Sequence, residues 1–333
     1  METFRAFRIH QAEGGVRAGF EDMKVDDLTA GDVVIRVHYS DVNYKDALAA
    51  TGKGRILRQY PLNGGIDLSG TVMSSEDPAF EPGQQVLVVG CGLSETRDGG
   101  FSEIARVPAS CVVPVPIGLT LFDVMAIGTA GFTAALAVLR MEQLGQSPDM
   151  GPVVVTGATG GVGSVAIDLL STRGYEVVAV SGKSDQSDYL RRIGAARVLD
   201  RHSIDLGSKP MEKATWGGAV DNVGGEILTW LTRTVKPFGN IASVGLAGSH
   251  KLETTVMPFI LRGVSLIGIN SIEMPLELRD RAWQLLGSDM RPRHLDEIVS
   301  RVVEFDDLPS VFGDYIDGRV TGRTVVRLHA GDR

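Results

Sequence analysis

Cysteine is almost missing from this chain: of 333 residues only Cys91 and Cys111 are cysteine, and neither belongs to a CxxC pair. Neither a disulfide framework nor a structural zinc lobe is therefore expected. The six histidines (His10, His38, His202, His250, His294 and His329) are scattered, none at ligand spacing from a cysteine. No metal site is expected. A basic excess is wanting too: 33 Lys and Arg face 41 Asp and Glu, for a formal net charge of -8. A nucleic-acid binder needs a basic surface, so nucleic acid is not an expected partner, although a local basic pocket for a phosphorylated cofactor is still allowed. No run of about 18 apolar residues is visible, and the opening METFRAFRIH lacks the apolar stretch of a signal peptide. The expectation is a cytoplasmic protein with no membrane among its partners. No internal repeat or low-complexity segment stands out.

What is present is enough chain for two cores, since single cores split beyond roughly 250 residues. The first third holds short β-type runs between Gly, Pro and Asp: Asp32–His38, Gly70–Met73, Gln85–Val89 and Ser110–Pro114. Such spacing suggests a compact barrel-like β domain. A helical segment, Phe122–Met141, then changes the pattern. From Pro152 strands and helices alternate, with strands at Pro152–Thr156, Glu176–Val180, Arg197–Leu199, Ala219–Asn222, Asn240–Val244 and Val264–Ile269. Helices fit between them, as at Val162–Arg173 and Gln186–Ile193, which indicates an α/β, doubly wound parallel sheet. A helix follows Pro275 to about Leu286, and Arg323–Leu328 reads as a strand returning to the first domain. The active site is expected in the cleft between the two modules.

The sharpest local signal is Val153–Ser164, VVVTGATGGVGS, an apolar strand running into a glycine-rich turn and then a helix carrying Val165, Ile167, Leu169 and Leu170. Glycines let the backbone approach a pyrophosphate while the helix N-terminus offers free amides. The plainer reading is a glycine turn with no ligand. An NAD site offers Asp or Glu at the end of the second strand. Here Val180-Ser181-Gly182-Lys183 has no carboxylate at its tip, and Arg201 follows the third strand. A hydroxyl and two cations suit a 2′-phosphate, so NADPH is the expected cofactor. Asp185 stands nearby, and Lys183 and Arg201 otherwise read as solvated cations.

The order of modules resembles the medium-chain dehydrogenase/reductase superfamily over essentially the whole chain. That resemblance implies a GroES-like catalytic domain at 1–124 and 295–333 and a Rossmann NADPH-binding domain at 125–294. Where zinc members carry Cys and His, this chain reads Val42-Asn43-Tyr44-Lys45-Asp46 and Gly65-Ile66-Asp67. With no zinc ligands, no Lewis acid ionises an alcohol, and alcohol dehydrogenation is not expected. The strings VNYKDALAATGKG (Val42–Gly54), GIDLSGTV (Gly65–Val72), IGTAGFTAALAV (Ile127–Val138), GLAGS (Gly245–Ser249), TTVMPFILRGV (Thr254–Val264) and GRTVV (Gly322–Val326) resemble the acryloyl-CoA reductase group, the AcuI/YhdH type of quinone-oxidoreductase-like proteins. Pro61-Leu-Asn-Gly-Gly65 departs from the group, which has an apolar residue and a proline before GID. Members reduce the C2–C3 double bond of acryloyl-CoA to propanoyl-CoA with NADPH, which the resemblance implies here.

That reaction needs hydride at Cβ, charge stabilisation at the thioester oxygen and a proton at Cα. Tyr44, on a turn just past a strand, is the first candidate to donate to the oxyanion or the ribose; the alternative is a packing tyrosine. Asn43 orients a carboxamide or carbonyl, or simply forms the turn. Arg323 meets a CoA phosphate or the thioester oxygen, or forms a surface salt bridge. Asp46 is expected to fix its loop and Asp67 to satisfy buried amides. The resemblance puts Thr159, Gly160, Gly161 and Val162 on the pyrophosphate, Ser181, Gly182, Lys183 and Arg201 on the adenosine phosphate, and Leu246, Ile260 and Ser271 at the nicotinamide half. The last set otherwise reads as core.

One rival keeps the fold and takes a quinone or another small enone. Basic residues of the Thr51–Tyr60 loop, Lys53, Arg55 and Arg58, would favour a CoA ester if they formed a patch at the mouth of the cleft, and otherwise form a solvated loop. A second rival binds NADPH without turnover. Finally, Val264–Ile269 is an apolar edge strand, and exposed edges tend to be paired. A homodimer through 264–269 is expected.

Overall fold

The computed structural model describes residues 3–329. It divides into two compact units, one of the chain through Thr129, Ile272–Ser288 and the chain from Val299, the other of Ala130–Ser271 and Asp289–Ile298. Against the expected division after 124 and 294, the chain changes unit after Thr129, and Ile272–Ser288 groups with the first unit.

The first unit opens with a hairpin, β1 (Phe4–Ala12) and β2 (Gly15–Met23), antiparallel about Glu13-Gly14. It continues with β3 (Val33–Asp41), helix α1 (Tyr44–Thr51), β4 (Leu62–Asn63), β5 (Asp67–Ser75), β6 (Gln85–Val89), β7 (Ile104–Val107) and β8 (Val113–Pro114). Alternation decides the faces of β3: Val33, Ile35 and Val37 are fully buried while Arg36 points out. Each such valine or isoleucine stabilises by about 1.5–3 kcal/mol relative to exposure. The expected strand at Ser110–Pro114 is mostly wrong. Ala109–Cys111 is a turn of 3-10 helix and only Val113–Pro114 pairs.

The second correction concerns the cysteines. Cys91 and Cys111, 20 residues apart in sequence, lie 5.8 Å apart at Cα and are disulfide-bonded. Sequence spacing misses the pair because it sees only local motifs, whereas here the fold brings two loops together.

Helix α2 (Leu121–Gln143) follows. It has 23 residues, and its most apolar stretch of 18 has a mean hydropathy of 1.7, long and apolar enough to cross a membrane by length and composition, although its sequence showed no unbroken apolar run. Burial identifies it as a core helix, since 78% of its most apolar stretch is buried. The helix breaks at Gly128, where φ is 52° and ψ -163°.

The second unit matches the expected alternation: β9 (Val153–Thr156), α3 (Gly161–Thr172), β10 (Val177–Ser181), α4 (Ser187–Arg192), β11 (Arg197–Asp200), β12 (Trp216–Asp221), α5 (Gly225–Thr234), β13 (Val235–Ser243), α6 (Met257–Arg262) and β14 (Ser265–Gly268). The six strands run parallel in the order β11-β10-β9-β12-β13-β14. Every residue of β9 and β10 is buried, as parallel strands covered on both faces require. The order reverses between β9 and β12, and ligands of doubly wound sheets sit at such a reversal.

Helix α7 (Leu276–Leu286) starts behind Pro275 as expected. The returning strands are β15 (Val299–Glu304) and β16 (Arg323–Arg327). They complete the sheet β15-β16-β3-β5-β6-β8 of the first unit, with Val325 opposite Asp41 in antiparallel register. That register sets Arg323 beside the end of β3.

Candidate active site

In the second unit, β9 ends at Thr156 and α3 begins at Gly161, so the chain must reverse within four residues. Gly157 does so at φ 57°, in the left-handed region that glycine enters without steric cost. A Cβ on Gly163 would stand 2.4 Å from the Gly157 carbonyl oxygen and 2.8 Å from Ala158 Cα. The helix is thus pressed against the strand end more closely than any side chain allows. The first amides of α3 lack partners within the helix and carry its positive end. Thr159 is buried, while Gly160, Gly161 and Val162 are partly exposed around that end. These residues fit a dinucleotide pyrophosphate.

Behind the turn, strand-end polar groups hold the reversal point. Asp221 accepts from Thr156 Oγ1 at 2.6 Å and from Gly224 N at 2.8 Å, and Asn222 Nδ2 donates to the Thr156 carbonyl at 2.7 Å. Burial pushes the Asp221 carboxyl above its usual range against those bonds. Sequence reasoning passed over Thr156 and Asp221, although a polar residue closing an apolar strand was the signal available.

At the tip of β10, Ser181 is buried and its Oγ accepts from Lys183 N at 3.0 Å. Ser181 pairs with Asp200 in the β10–β11 register, which brings Arg201 alongside. A Cβ on Gly182 would lie 2.6 Å from Arg201 Nε, so the guanidinium lies over that glycine. Burial lowers the Lys183 pKa, and Asp185 opposes it. Ser181, Gly182, Lys183 and Arg201 thus gather at one strand end with no carboxylate at its tip. Leu246 and Ile260 are 68% and 72% exposed, which removes their core reading. Ser271 is partly exposed.

In the first unit, Tyr44 opens α1 and is 53% exposed, leaving its phenol accessible. The adjacent Asn43 is spent inward. Its Nδ2 donates to Asp41 at 2.6 Å and to Asp67 at 3.0 Å, and its Oδ1 accepts from Arg323 Nη1 at 3.3 Å. Arg323 is 2% exposed, with Nε on the Ala126 carbonyl at 3.1 Å and Nη2 on Asp41. Its expected contact with a CoA phosphate or thioester oxygen is therefore corrected, as is a surface salt bridge, because strand register drives the side chain into a buried ion pair. Asn43 likewise joins this network. Burial works against the Arg323 charge, and Asp41, Tyr315, Asp67 and Asp46 outweigh it.

Asp46 caps α1 as foreseen, accepting from Asn43 N at 2.8 Å and from Ile66 N at 3.0 Å. Burial raises its pKa to about 7. Asp67 accepts from Thr129 N at 2.8 Å and from Gly90 N at 3.3 Å, the buried-amide role expected of it. Asp41 was missed. Burial holds its carboxyl well above the usual range despite Arg323, and Asp67 adds to the effect. Gly128 makes room for the pair, since a Cβ there would stand 1.9 Å from Asp41 Oδ2.

A family model described as zinc-binding dehydrogenase matches residues 161–288, and one for the alcohol dehydrogenase GroES-like domain matches residues 29–117. Among the described residues no group of three or more His, Cys, Asp or Glu is placed to hold a metal ion. The residues present therefore do not fit a zinc. Acrylyl-CoA reductase AcuI of Ruegeria pomeroyi is 42% identical over 330 residues, 98% of this chain and 100% of that protein. The yhdH oxidoreductase of Salmonella enterica, solved in complex with NADP, superposes with a TM-score of 0.94 at 44% identity, over 98% of this chain and 100% of that one. Bacillus subtilis yhfP with NAD bound gives a TM-score of 0.96 at 44% identity and the same coverage.

Proposed function

The chain belongs to the acrylyl-CoA reductase group of the medium-chain dehydrogenase/reductase family, and from that membership we propose that it reduces the C2–C3 double bond of acryloyl-CoA (acrylyl-CoA) to propanoyl-CoA with NADPH. The observation that carries the reading is identity with an acrylyl-CoA reductase over nearly the full length of both chains. The cationic tip of β10, without a carboxylate, supports NADPH over NADH.

When bound, the reduced nicotinamide would supply the hydride for Cβ of the substrate, and a proton taken up at Cα completes the reduction. The glycine turn with Thr159, Gly160, Gly161 and Val162 holds the pyrophosphate, and Ser181, Gly182, Lys183 and Arg201 hold the 2′-phosphate. Leu246, Ile260 and Ser271 flank the nicotinamide half. Tyr44 donates a hydrogen bond to the thioester oxygen and stabilises the charge that develops there. Asn43 and Arg323 act as positioning residues, fixing the start of α1 and with it the phenol. We assign the protein to the cytoplasm and to a homodimer joined through β14, an edge strand of its sheet.

The test follows NADPH oxidation with acryloyl-CoA, crotonoyl-CoA and a simple quinone at matched concentrations. Acryloyl-CoA is expected to lead by ~100-fold or more in kcat/KM over the quinone. Turnover confined to the quinone would overturn the substrate assignment while keeping the cofactor site.

A further inference from the structure

A second group of cations lies outside the residues used so far, in the first unit. Lys45, Arg55, Ile56, Leu57, Arg58 and Glu95 line a cavity of about 350 Å³. Its wall is built. Leu57 is 2% exposed, Arg58 N donates to the Glu95 carbonyl at 2.8 Å, and Gln59 Nε2 donates to the Thr96 carbonyl at 2.7 Å. Lys45 Nζ pairs with the Glu95 carboxylate. Arg55 and Arg58 are exposed and make no ion pair among the described residues. Lys53, from the same loop, does not line the cavity.

Three cations thus surround one concavity against a single carboxylate, on a chain of net charge -8. Like charges gathered in this way repel, and a polyanion of matching size relieves the repulsion. Guanidinium forks match phosphate oxygens two at a time, and the ammonium adds a point charge. The Ile56 and Leu57 side of the cavity offers apolar surface to a ring or an alkyl arm. The cations suited to the NADPH 2′-phosphate stand elsewhere, at the tip of β10, so this pocket is left for another phosphorylated group. Lys45 directly follows Tyr44 on α1.

We propose that the Lys45–Arg55–Arg58 pocket binds the phosphate end of the coenzyme A moiety, its 3′-phosphorylated adenosine diphosphate. The pantetheine arm then leads the acyl thioester to Tyr44. The inference rests on the acryloyl-CoA reading above, and its test separates the two.

With the protein saturated in NADPH, kinetics on acryloyl-CoA and on acryloyl-pantetheine are compared for the wild type, Arg55→Glu/Arg58→Glu and the milder Arg55→Gln/Arg58→Gln. The expected result is a KM for acryloyl-CoA raised about tenfold or more in the Glu variant and less in the Gln variant, weakening with salt in the wild type. Turnover of acryloyl-pantetheine stays unchanged in both. In parallel, adenosine 3′,5′-bisphosphate titrated calorimetrically into the NADPH-loaded protein binds the wild type and not the Glu variant, and inorganic phosphate does not compete at equal concentration. Equal KM for both thioesters in the wild type, equal loss on both in the variants, or no binding of the bisphosphate would overturn the pocket and leave the reductase reading standing. Bisphosphate binding that depends on Arg55 and Arg58, in a protein that reduces neither thioester, would keep the pocket and overturn the substrate.

Discussion

Asp46 is a carboxyl sealed from water whose two main-chain donors do not fully offset its burial. Its pKa rises from 3.8 to about 7 on folding. Between those values the folded protein keeps a proton that the unfolded chain releases, so stability from this group is complete below pH 3.8 and is lost as pH climbs through about 7. Asp41 shifts in the same direction. Thermal midpoints of the wild type should therefore fall from about pH 5 to about pH 8 more steeply than those of Asp46→Asn, which has no charge to gain. Parallel curves would refute the shift. Tyr44→Phe should lower kcat about 100-fold, the usual scale for losing an oxyanion donor, with the fold intact by circular dichroism; full turnover would remove the phenol from the chemistry. Lys183→Ala should raise KM for NADPH about tenfold and leave NADH unaffected. At this scale the sequence was legible for the position of a residue at the end of an element, as with Tyr44 at the start of α1 and Ser181 at the end of β10. It was not legible for Arg323, because only the pairing of β16 with β3, 282 residues apart at the ion pair, decides that its cation turns inward.

The strand–turn–helix β9–α3 is the element on which the cofactor reading stands. Gly163→Ala adds a methyl where 2.4 Å remains to a carbonyl oxygen, and both neighbours are backbone, so the helix must retreat. NADPH affinity measured by fluorescence titration should fall ~10-fold or more, with stability lowered by about 1–3 kcal/mol, the cost of overpacking; unchanged affinity would mean that the close approach has no bearing on the pyrophosphate. The order of the second unit's strands was read from the sequence because strands covered on both faces are apolar without interruption and are punctuated by glycine, although β12 and β13 begin three and five residues earlier than expected. The opening hairpin escaped because β1 buries Ala6 and Phe7 in succession and sets Arg5 and Arg8 between buried positions, which breaks strict alternation. Ser110–Pro114 misled in the opposite sense, since Ala109–Cys111 turns as 3-10 helix behind Pro108 and leaves only Val113–Pro114 to pair.

For the whole molecule, the outer strand β14 pairs among the described residues with β13 alone and shows Leu266 at 36% exposure. If the proposed dimer forms through this edge, the wild type should sediment as a dimer and Leu266→Asp, which places charge there, as a protomer. A wild-type protomer would remove the dimer. The fold class was legible from motif order, whereas the grouping of Ile272–Ser288 with the first unit was not, because no composition change marks it. The ion pair of Arg323 with Asp41 also imposes an order in time. The ribosome reaches the cation 282 residues after the acid it serves, tens of seconds later at ~5–20 residues per second. All six parallel strands, β9 to β14, have emerged by then, so the unit that comes second in the chain can be first to close, while the earlier one waits for its last strand.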